Sequence, residues 1–451
     1  MGKVRRLFSK FHIRLSSKST SMPTAPSHDP APSGSAVQTT RQSSTVAQLN
    51  APFENLPAEI RREILGALEY EGLRALVHAS PAFHQQFRLD RRSLLCGCLR
   101  KRLRAAAVDA CAAYRPGLDS FSDTRTKESV AEFLKAYQDR RSSATYSIED
   151  EALTEDEAAA MIAFHFTVIE PLSKRFTNWA LGHLADETGG SPHHKPLSAT
   201  EETRVMRAMY RFQLCCNLFH ERYDRPLRHN LDPIDVVKLF FCLFEPWEVE
   251  EVVCIHNFSK HEFDRIFRDI HWDLNQENPK FADQDRPPTP DGAFNFDDAW
   301  ERSNYLGGTV MCGLELLHTV LFKMRDHEHL VTTMQKSISL DGQLFDGALL
   351  QATQWKRHEE QLSERDLKQQ ARDPLPFMGD LEPDTHGSCP PLAWTLIWKG
   401  TYSNLYGEYL DDDMRRWGYV MWDAARLKTE GGKDLLLRQW GSEWDPREMG
   451  F

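Results

Sequence analysis

From residue 53 onward, apolar residues recur at intervals of three and four positions, which is the spacing of one face of an α-helix. Residues 53–95 predict three short helices, the first starting near Pro57 and the third at Pro81, since proline suits a first helical turn. A unit of about forty residues buries little area by itself, so we expect it to rest on a partner or on the rest of the chain. The apolar positions of this unit are Ile60, Ile64, Leu65, Leu68, Leu73, Leu76, Val77, Phe83 and Phe87.

Residues 96–275 continue as a predicted helical domain. The pairs Thr154 with Glu157 and Ser198 with Glu201 have capping-box spacing, in which side chains bind the free backbone amides of a helix start. Pro246 opens a further apolar helix. The alternation of apolar and polar residues that is typical of a β-strand is hard to find. The predicted fold class is therefore mainly α, a multi-helix body.

After a proline-bearing loop at 276–298, residues 299–451 predict a helical, aromatic-rich C-terminal region. A helix is expected over 306–322, and a charged, exposed helix over 357–372. Aromatic residues at helical spacing usually face the core, so core packing is favoured over a ligand or peptide pocket in this Trp-rich segment. The Trp and Tyr residues concerned are Trp394, Trp398, Tyr402, Tyr406, Tyr409, Trp417, Tyr419, Trp422, Trp440 and Trp444.

Residues 1–50 differ in composition from everything after them. They carry one acid, Asp29, and from residue 16 they are mostly Ser, Thr, Pro and Ala, which offer too little apolar burial to offset chain entropy. We therefore expect a disordered basic leader. Its first fifteen residues space apolar and basic positions like a helix, which fits peripheral contact with an anionic membrane. A mitochondrial transit peptide and a solvated tail are the other interpretations.

Three properties of the 451-residue chain narrow the function classes. Its 55 Lys and Arg against 66 Asp and Glu give a net charge of -11, which repels a phosphate backbone and disfavours general nucleic-acid binding. Its 9 cysteines are irregularly spaced with no signal peptide upstream, which indicates reduced thiols in the cytoplasm or nucleus. No apolar run approaches the roughly 18 residues of a membrane-spanning helix, so no transmembrane segment is predicted.

Patterns of catalytic and ligand-binding residues are sparse. Cys254, His256 and His261 are close in sequence, but helical spacing aims them in different directions and no fourth ligand is evident. Neither a nucleophile elbow nor a phosphate-binding loop is found. The sequence therefore predicts no catalytic residue, no metal and no cofactor. The basic run at 100–104 fits a solvated helix face, with a nuclear address or a patch for an acidic partner as alternatives.

The sharpest signal lies at the start of the folded part and is a run of residues with fixed order and spacing. The run comprises Leu56, Pro57, Glu59, Ile64, Leu65, Leu68, Leu73, Leu76 and Ser80. Three further residues, Glu69, Gly72 and Phe83, belong to the same stretch. This pattern resembles the F-box, with Phe83 at the usual Trp position and Glu69 and Gly72 in place of two common aspartates. The chain is also similar to F-box-like proteins of filamentous fungi, which follow such a start with a long helical region.

The resemblance implies a function without a catalytic group in this chain. In the F-box family, the helices dock on the Skp-type adaptor of a cullin-RING (SCF-type) ubiquitin ligase, and the remaining chain captures a target protein. Here the C-terminal region is expected to bind the target, whose identity is unknown. An exposed apolar helix face also suits helix-in-groove docking on physical grounds. Two alternatives stay open: an interaction or scaffold protein not engaged with a ligase, and an enzyme with an unrecognised pocket in the C-terminal region. The residues expected to contact the adaptor are Leu56, Pro57, Ile60, Ile64, Leu68, Leu73, Leu76 and Phe83.

Overall fold

The structure is a computed structural model, and it describes residues 52–117, 125–143, 145–190, 195–220, 231–282, 291–340, 343–353, 390–397, 410 and 412–441. The chain divides into two compact units, Met1–Leu94 and Leu95–Phe451. Across the described residues the fold is mainly helical and contains no strand, which confirms the predicted fold class. The basic leader at 1–50 and the charged helix predicted at 357–372 lie outside the described residues.

The first unit opens with the 3-10 turn Pro52–Asn55. Three α-helices follow: α1 at Ala58–Ala67, α2 at Tyr70–Ala79 and α3 at Pro81–Leu103, the last of which runs on into the second unit. Helix α3 is longer than the short helix expected there, and it is kinked at Asp90, whose backbone has φ −112° and ψ 16°.

The second unit is built from helices and short turns. Its 3-10 turns are Arg104–Ala106, Arg115–Gly117, Phe241–Leu243 and Pro279–Phe281, and its π-helical segments are His165–Ile169 and Thr319–Lys323. The α-helices are α4 Ala107–Tyr114, α5 Lys127–Arg141, α6 Glu155–Phe164, α7 Glu170–Thr188, α8 Ala199–Phe219, α9 Pro233–Leu239, α10 Pro246–Leu274, α11 Ala299–Val310, α12 Leu314–His318, α13 His327–Gln335, α14 Gln343–Ala352, α15 Leu392–Ile397, α16 Asp412–Arg416, α17 Ala424–Thr429 and α18 Gly432–Gly441.

Helix α8 lies at the centre of the second unit. It packs against α4 on one side and α10 on another, and its apolar residues are buried around the whole helix, as expected of a core helix. The capping boxes at Thr154 and Ser198 are both present, and α10 does begin at Pro246. These local signals predicted the helix starts correctly because they depend only on neighbouring residues.

Helix α10 also packs against α11 and α16, so helices from the 96–275 and 299–451 regions share one interior. In the described parts of the 276–298 loop, Phe294 N donates to Leu274 O at 2.8 Å, which ties the far end of the loop to the end of α10.

No single described helix is long and apolar enough to span a membrane. Helix α11 together with Leu314–Lys323, a pair bent by 96°, meets that requirement in length and composition only.

The prediction of one continuous helix over 306–322 is wrong, because α11 ends at Val310 and α12 begins at Leu314. Gly313 stands at the break with φ 85°, a backbone conformation that favours glycine. A Cβ atom there would lie 2.9 Å from the amide of Gln213, which accepts a hydrogen bond from Leu314 N at 2.8 Å. The break therefore depends on a side chain a hundred residues earlier in the sequence, which local spacing does not reveal.

The C-terminal aromatic residues that the structure describes pack mainly inward. Trp394, Trp417, Tyr419 and Trp422 are all buried, and Trp422 Nε1 donates to Trp417 O at 2.6 Å. For these four residues, the interpretation as core packing is confirmed. Trp440 is half-buried, and the other predicted aromatic positions lie outside the described residues.

Candidate functional site

The candidate site is the start of the first unit, where the 3-10 turn meets α1. The Arg61 guanidinium reaches back from α1 and donates through Nη1 to the carbonyl oxygens of Glu54, at 3.2 Å, and Leu56, at 3.1 Å. Ser80 Oγ donates to Glu54 Oε1 at 2.5 Å. The Arg61 contacts satisfy backbone carbonyl groups outside the helix, and the Ser80 contact holds the Glu54 side chain. Together they fix the direction in which Leu56 and Pro57 lead into α1.

An ion pair joins the exposed side of α1 to the kink in α3. Arg62 Nη2 lies 2.9 Å from Asp90 Oδ1, and Gln86 Nε2 donates to Asp90 Oδ2 at 2.5 Å. The hydrogen bond from Arg62 lowers the pKa of Asp90 below its ordinary value, so this carboxylate is ionised at neutral pH. Because Arg62 is more than half exposed, the pair orients the helices more than it stabilises them.

Helix α1 buries very little of its apolar surface. Leu65 is its one fully buried residue, whereas Ile60, five residues earlier, is 46% exposed. We define the docking face as Leu56, Pro57, Ile60, Ile64 and Leu68. Pro57 is exposed, and Leu56, Ile64 and Leu68 are half-buried. The structure thus brings these five predicted residues together along one side of α1 and its ends, and leaves an apolar strip accessible.

The remaining three predicted residues divide differently. Leu76, on α2, is half-buried. Leu73 and Phe83 are buried, and Phe83 stacks on Phe53 with ring centroids 5.1 Å apart. Both side chains belong to the interior of the first unit, and their contact with a partner stays a prediction. Helical spacing identified Leu73 and Phe83 as apolar helix positions. It does not distinguish a side chain that faces the interior from one that faces the solvent in so small a unit.

Two exposed apolar residues in the first unit were not predicted. Phe53 has about half of its surface exposed and lies against the ring of Phe83, three residues before Leu56. Leu89, in α3, is 75% exposed and lies between charged residues. Phe53 could have been found as an apolar residue one turn ahead of the Leu56 and Pro57 pair. Leu89 stands alone in a polar stretch and gave no signal.

The second unit contains a buried cluster of charges rather than an open site. Arg211 donates to Asp109 at 3.0 Å and to Glu248 at 2.8 Å, while Arg207 donates to both carboxylate oxygens of Glu251. Burial raises the pKa of Glu248, but Arg211 and its neighbouring arginines outweigh burial and hold that pKa well below its ordinary value. Every one of these carboxylates has an arginine partner, so the cluster ties α4, α8 and α10 together.

The residues weighed as metal ligands are separated by their contacts. Cys254 is fully buried in α10, and His256 Nε2 lies 3.0 Å from Asp346 Oδ1 of α14. His261 lies instead against the ring of Trp179, with centroids 5.5 Å apart. In the part of the chain that the structure describes, no group of three or more His, Cys, Asp or Glu residues is placed to hold a metal ion.

The basic run at 100–104 comprises the last turn of α3 and the first residue of the 3-10 turn after it. Leu99 and Leu103 are buried there, while Arg100 and Arg104 are exposed. This arrangement is the solvated helix face that the sequence favoured.

No protein-family model, curated protein or solved structure matches this chain.

Proposed function

We propose that this protein is a non-enzymatic substrate receptor of a cullin-RING (SCF-type) ubiquitin ligase. In this proposal the docking face binds the Skp-type adaptor, and the second unit holds the target protein. The observation that carries the proposal is the exposed strip on α1, centred on Ile60, which coincides with the residues that resemble the F-box.

Physical chemistry supports docking at this place. A contiguous apolar strip with Leu56, Pro57 and Ile60 at its start can fill a hydrophobic groove on a partner, and a few such anchors dominate a standard interface of roughly 1,600 Å². The contacts of Arg61 and Ser80 around Glu54 hold the strip in one geometry before binding. A preformed surface loses less entropy on association than a surface that must first become ordered.

The proposed activity requires positioning and no chemistry within the chain. Holding the target close to the ligase raises the effective concentration of the target's lysine side chains near the carrier protein that is loaded with ubiquitin. Ubiquitin transfer is then carried out by the ligase assembly. The rate should depend on how well the two binding surfaces span the distance, and no side chain of this protein should be needed as an acid, base or nucleophile.

The direct test is co-purification of the full-length protein with a Skp-type adaptor. The double variant Leu56→Ala, Ile60→Ala removes two anchors of the docking face and should weaken adaptor binding by at least about tenfold, since truncating such anchors costs more than about 1 kcal/mol each. Leu89→Ala is the matched control, because Leu89 is more exposed than Ile60 and lies outside the docking face.

Ile60 and Leu89 contribute little to the interior, so both variants should fold. Circular dichroism of each variant checks that the helices are intact. A double variant that folds and retains full adaptor binding would refute this use of the docking face. Equal losses of adaptor binding in the double variant and in Leu89→Ala would show that any exposed apolar residue has this effect. That result would also refute the docking face as the adaptor-binding surface.

A further inference from the structure

Among the described residues of the second unit, the largest exposed aromatic side chains lie at one end of the α10 and α11 pair. Trp272, in the last turn of α10, is 59% exposed, and Trp300, in the first turn of α11, is 65% exposed. Four other tryptophans of the same unit pack in its core and are buried almost completely, namely Trp247, Trp394, Trp417 and Trp422. An exposed indole leaves a large apolar area in water, so two at one helix junction require an explanation.

The junction that carries the two indoles is firmly held. Asp297, three residues before Trp300, accepts hydrogen bonds from Asn275 Nδ2 at 2.8 Å and His271 Nε2 at 3.0 Å, and His271 directly precedes Trp272. Beneath them Phe267 packs on Phe296 with centroids 5.1 Å apart. Both tryptophans are therefore presented from helix ends with fixed backbones, close to the same hydrogen-bonded junction.

The surroundings of the two indoles carry a net negative charge. The described residues 268–282 and 291–302 contain seven Asp or Glu residues against three basic residues, which are Arg268, Lys280 and Arg302. The hydrogen bond from Asn275, followed by that from His271, lowers the pKa of Asp297, which keeps it ionised. We define the Trp272–Trp300 surface by its two indoles and by four of the exposed acids, Asp269, Glu277, Asp297 and Asp298.

Aromatic faces and negative charge together select one kind of occupant. A cation over an indole is attracted by the ring, and arginine benefits more than lysine because its planar guanidinium also stacks on the ring. The surrounding carboxylates add a long-range attraction for positive charge and repel phosphate groups, which disfavours nucleic acids and anionic membranes. An apolar partner helix would leave the carboxylates without counter-charges.

We infer that the Trp272–Trp300 surface binds an extended, arginine-rich segment of another protein. The assignment of that segment to the target of a ubiquitin ligase rests on the proposed function, whereas the binding itself does not. In the complex, some guanidinium groups of the segment would lie over the indole faces, and neighbouring arginines of the same segment would pair with the exposed carboxylates.

The test is a titration of the full-length protein with fluorescein-labelled nona-arginine, followed by anisotropy at about 0.15 M salt, where the Debye length is about 8 Å. Nona-lysine should bind several-fold more weakly. Trp272→Ala, Trp300→Ala should weaken nona-arginine binding by about tenfold and reduce the preference over nona-lysine, given about 0.5–1 kcal/mol for each exposed cation–π contact. Leu340→Ala, Leu437→Ala removes two other exposed apolar side chains at equal charge and should change binding less than twofold.

A second pair of variants separates the local acids from net charge. Asp269→Asn, Glu277→Gln should weaken binding severalfold, while Glu155→Gln, Asp156→Asn removes the same charge from the exposed first turn of α6 and should have little effect. Equal effects of the two pairs, or unchanged binding by the tryptophan variant, would overturn the inference. A synthetic peptide of residues 1–18 that binds this surface far more tightly than nona-arginine would overturn it in favour of the chain's own basic segment.

The same variants distinguish this inference from the proposed function. Trp272→Ala, Trp300→Ala should co-purify with the Skp-type adaptor like the unchanged protein. Normal adaptor binding with no peptide binding would refute the Trp272–Trp300 surface alone. Peptide binding without adaptor binding would refute the ligase function and leave the peptide-binding surface in place.

Discussion

Helices α1 and α8 follow opposite rules of burial. Helix α1 fully buries 1 of its 10 residues and leaves Ile60 in water, whereas α8 buries 17 of its 21, including Arg204, Arg207 and Arg211. In α8 the charges of Arg207 and Arg211 are tolerated because carboxylates from other helices meet them, as Asp109 meets Arg211. Arg204 donates to the backbone oxygen of Trp422 at 3.3 Å. In α1 the apolar side chains remain accessible. The comparison shows that the side chains of α8 are committed to the interior, whereas α1 keeps apolar surface accessible, which the proposed function assigns to a partner.

The largest effect is expected from breaking the charge cluster at α8. Arg211→Met would leave Asp109 buried with only the Tyr137 hydroxyl as a side-chain donor, and it would remove one partner of Glu248. Removing one partner of a buried pair costs about 3–5 kcal/mol, because a charge is left uncompensated. Urea unfolding measures this loss through tryptophan fluorescence, since all 11 tryptophans lie beyond residue 94.

Arg100→Met is the control for that experiment. Arg100 pairs with Glu149 at 3.3 Å, but its side chain is 62% exposed, and such surface pairs contribute about 0–1 kcal/mol. Similar losses for Arg211→Met and Arg100→Met would contradict the view that α8 is held by buried ion pairs.

The next effect concerns the two sides of α1. Leu65→Ala should destabilise the first unit by about 2–5 kcal/mol, because it removes a buried leucine and leaves a cavity. Ile60→Ala, on the exposed side of the same helix, should cost less than about 1 kcal/mol. Amide hydrogen exchange over residues 58–79 measures both losses. Comparable losses would mean that Ile60 is part of the interior and that the docking face does not exist in the free protein.

A smaller effect is expected from pH. Burial, followed by the charge of Arg102, lowers the pKa of His165 from 6.5 to about 4, and its Nδ1 lies 2.9 Å from the Tyr210 hydroxyl. Because the unfolded chain takes up this proton first, stability is fully present above pH 6.5 and falls as the pH decreases towards 4.

The contribution of His165 should be on the order of 2 kcal/mol between pH 7 and pH 5. His165→Gln retains a hydrogen-bonding group and should flatten the dependence of the urea midpoint on pH in that window. An unchanged pH dependence in this variant would show that other groups cause the acid sensitivity.

Sequence spacing predicted those parts of the fold that depend on neighbours along the chain. Ser198 and Glu201 mark the start of α8, and Ile60, Ile64 and Leu68 mark one side of α1. The break at Gly313 was missed because it depends on the amide of Gln213, far away in the sequence. Distances along the chain carry no information about such contacts.

The candidate site was predictable in part for the same reason. The residue types at Leu73 and Phe83 agree with those of the docking face, yet both are buried, because burial depends on how three helices pack. Arg207 and Arg211 of α8 are spaced like a solvated face, and the acids of α4 and α10 explain why they are buried. The exposure of Trp272 and Trp300 likewise contradicts the usual preference of tryptophan for the interior.

The most direct test of the account is a calorimetric titration of the purified full-length protein with a purified Skp-type adaptor. The account predicts saturable one-to-one binding by the unchanged protein and by Leu89→Ala, and at least about tenfold weaker binding by Leu56→Ala, Ile60→Ala. The absence of binding by the unchanged, folded protein, or equal affinity in all three proteins, would contradict the claim that the exposed side of α1 is an adaptor-binding surface.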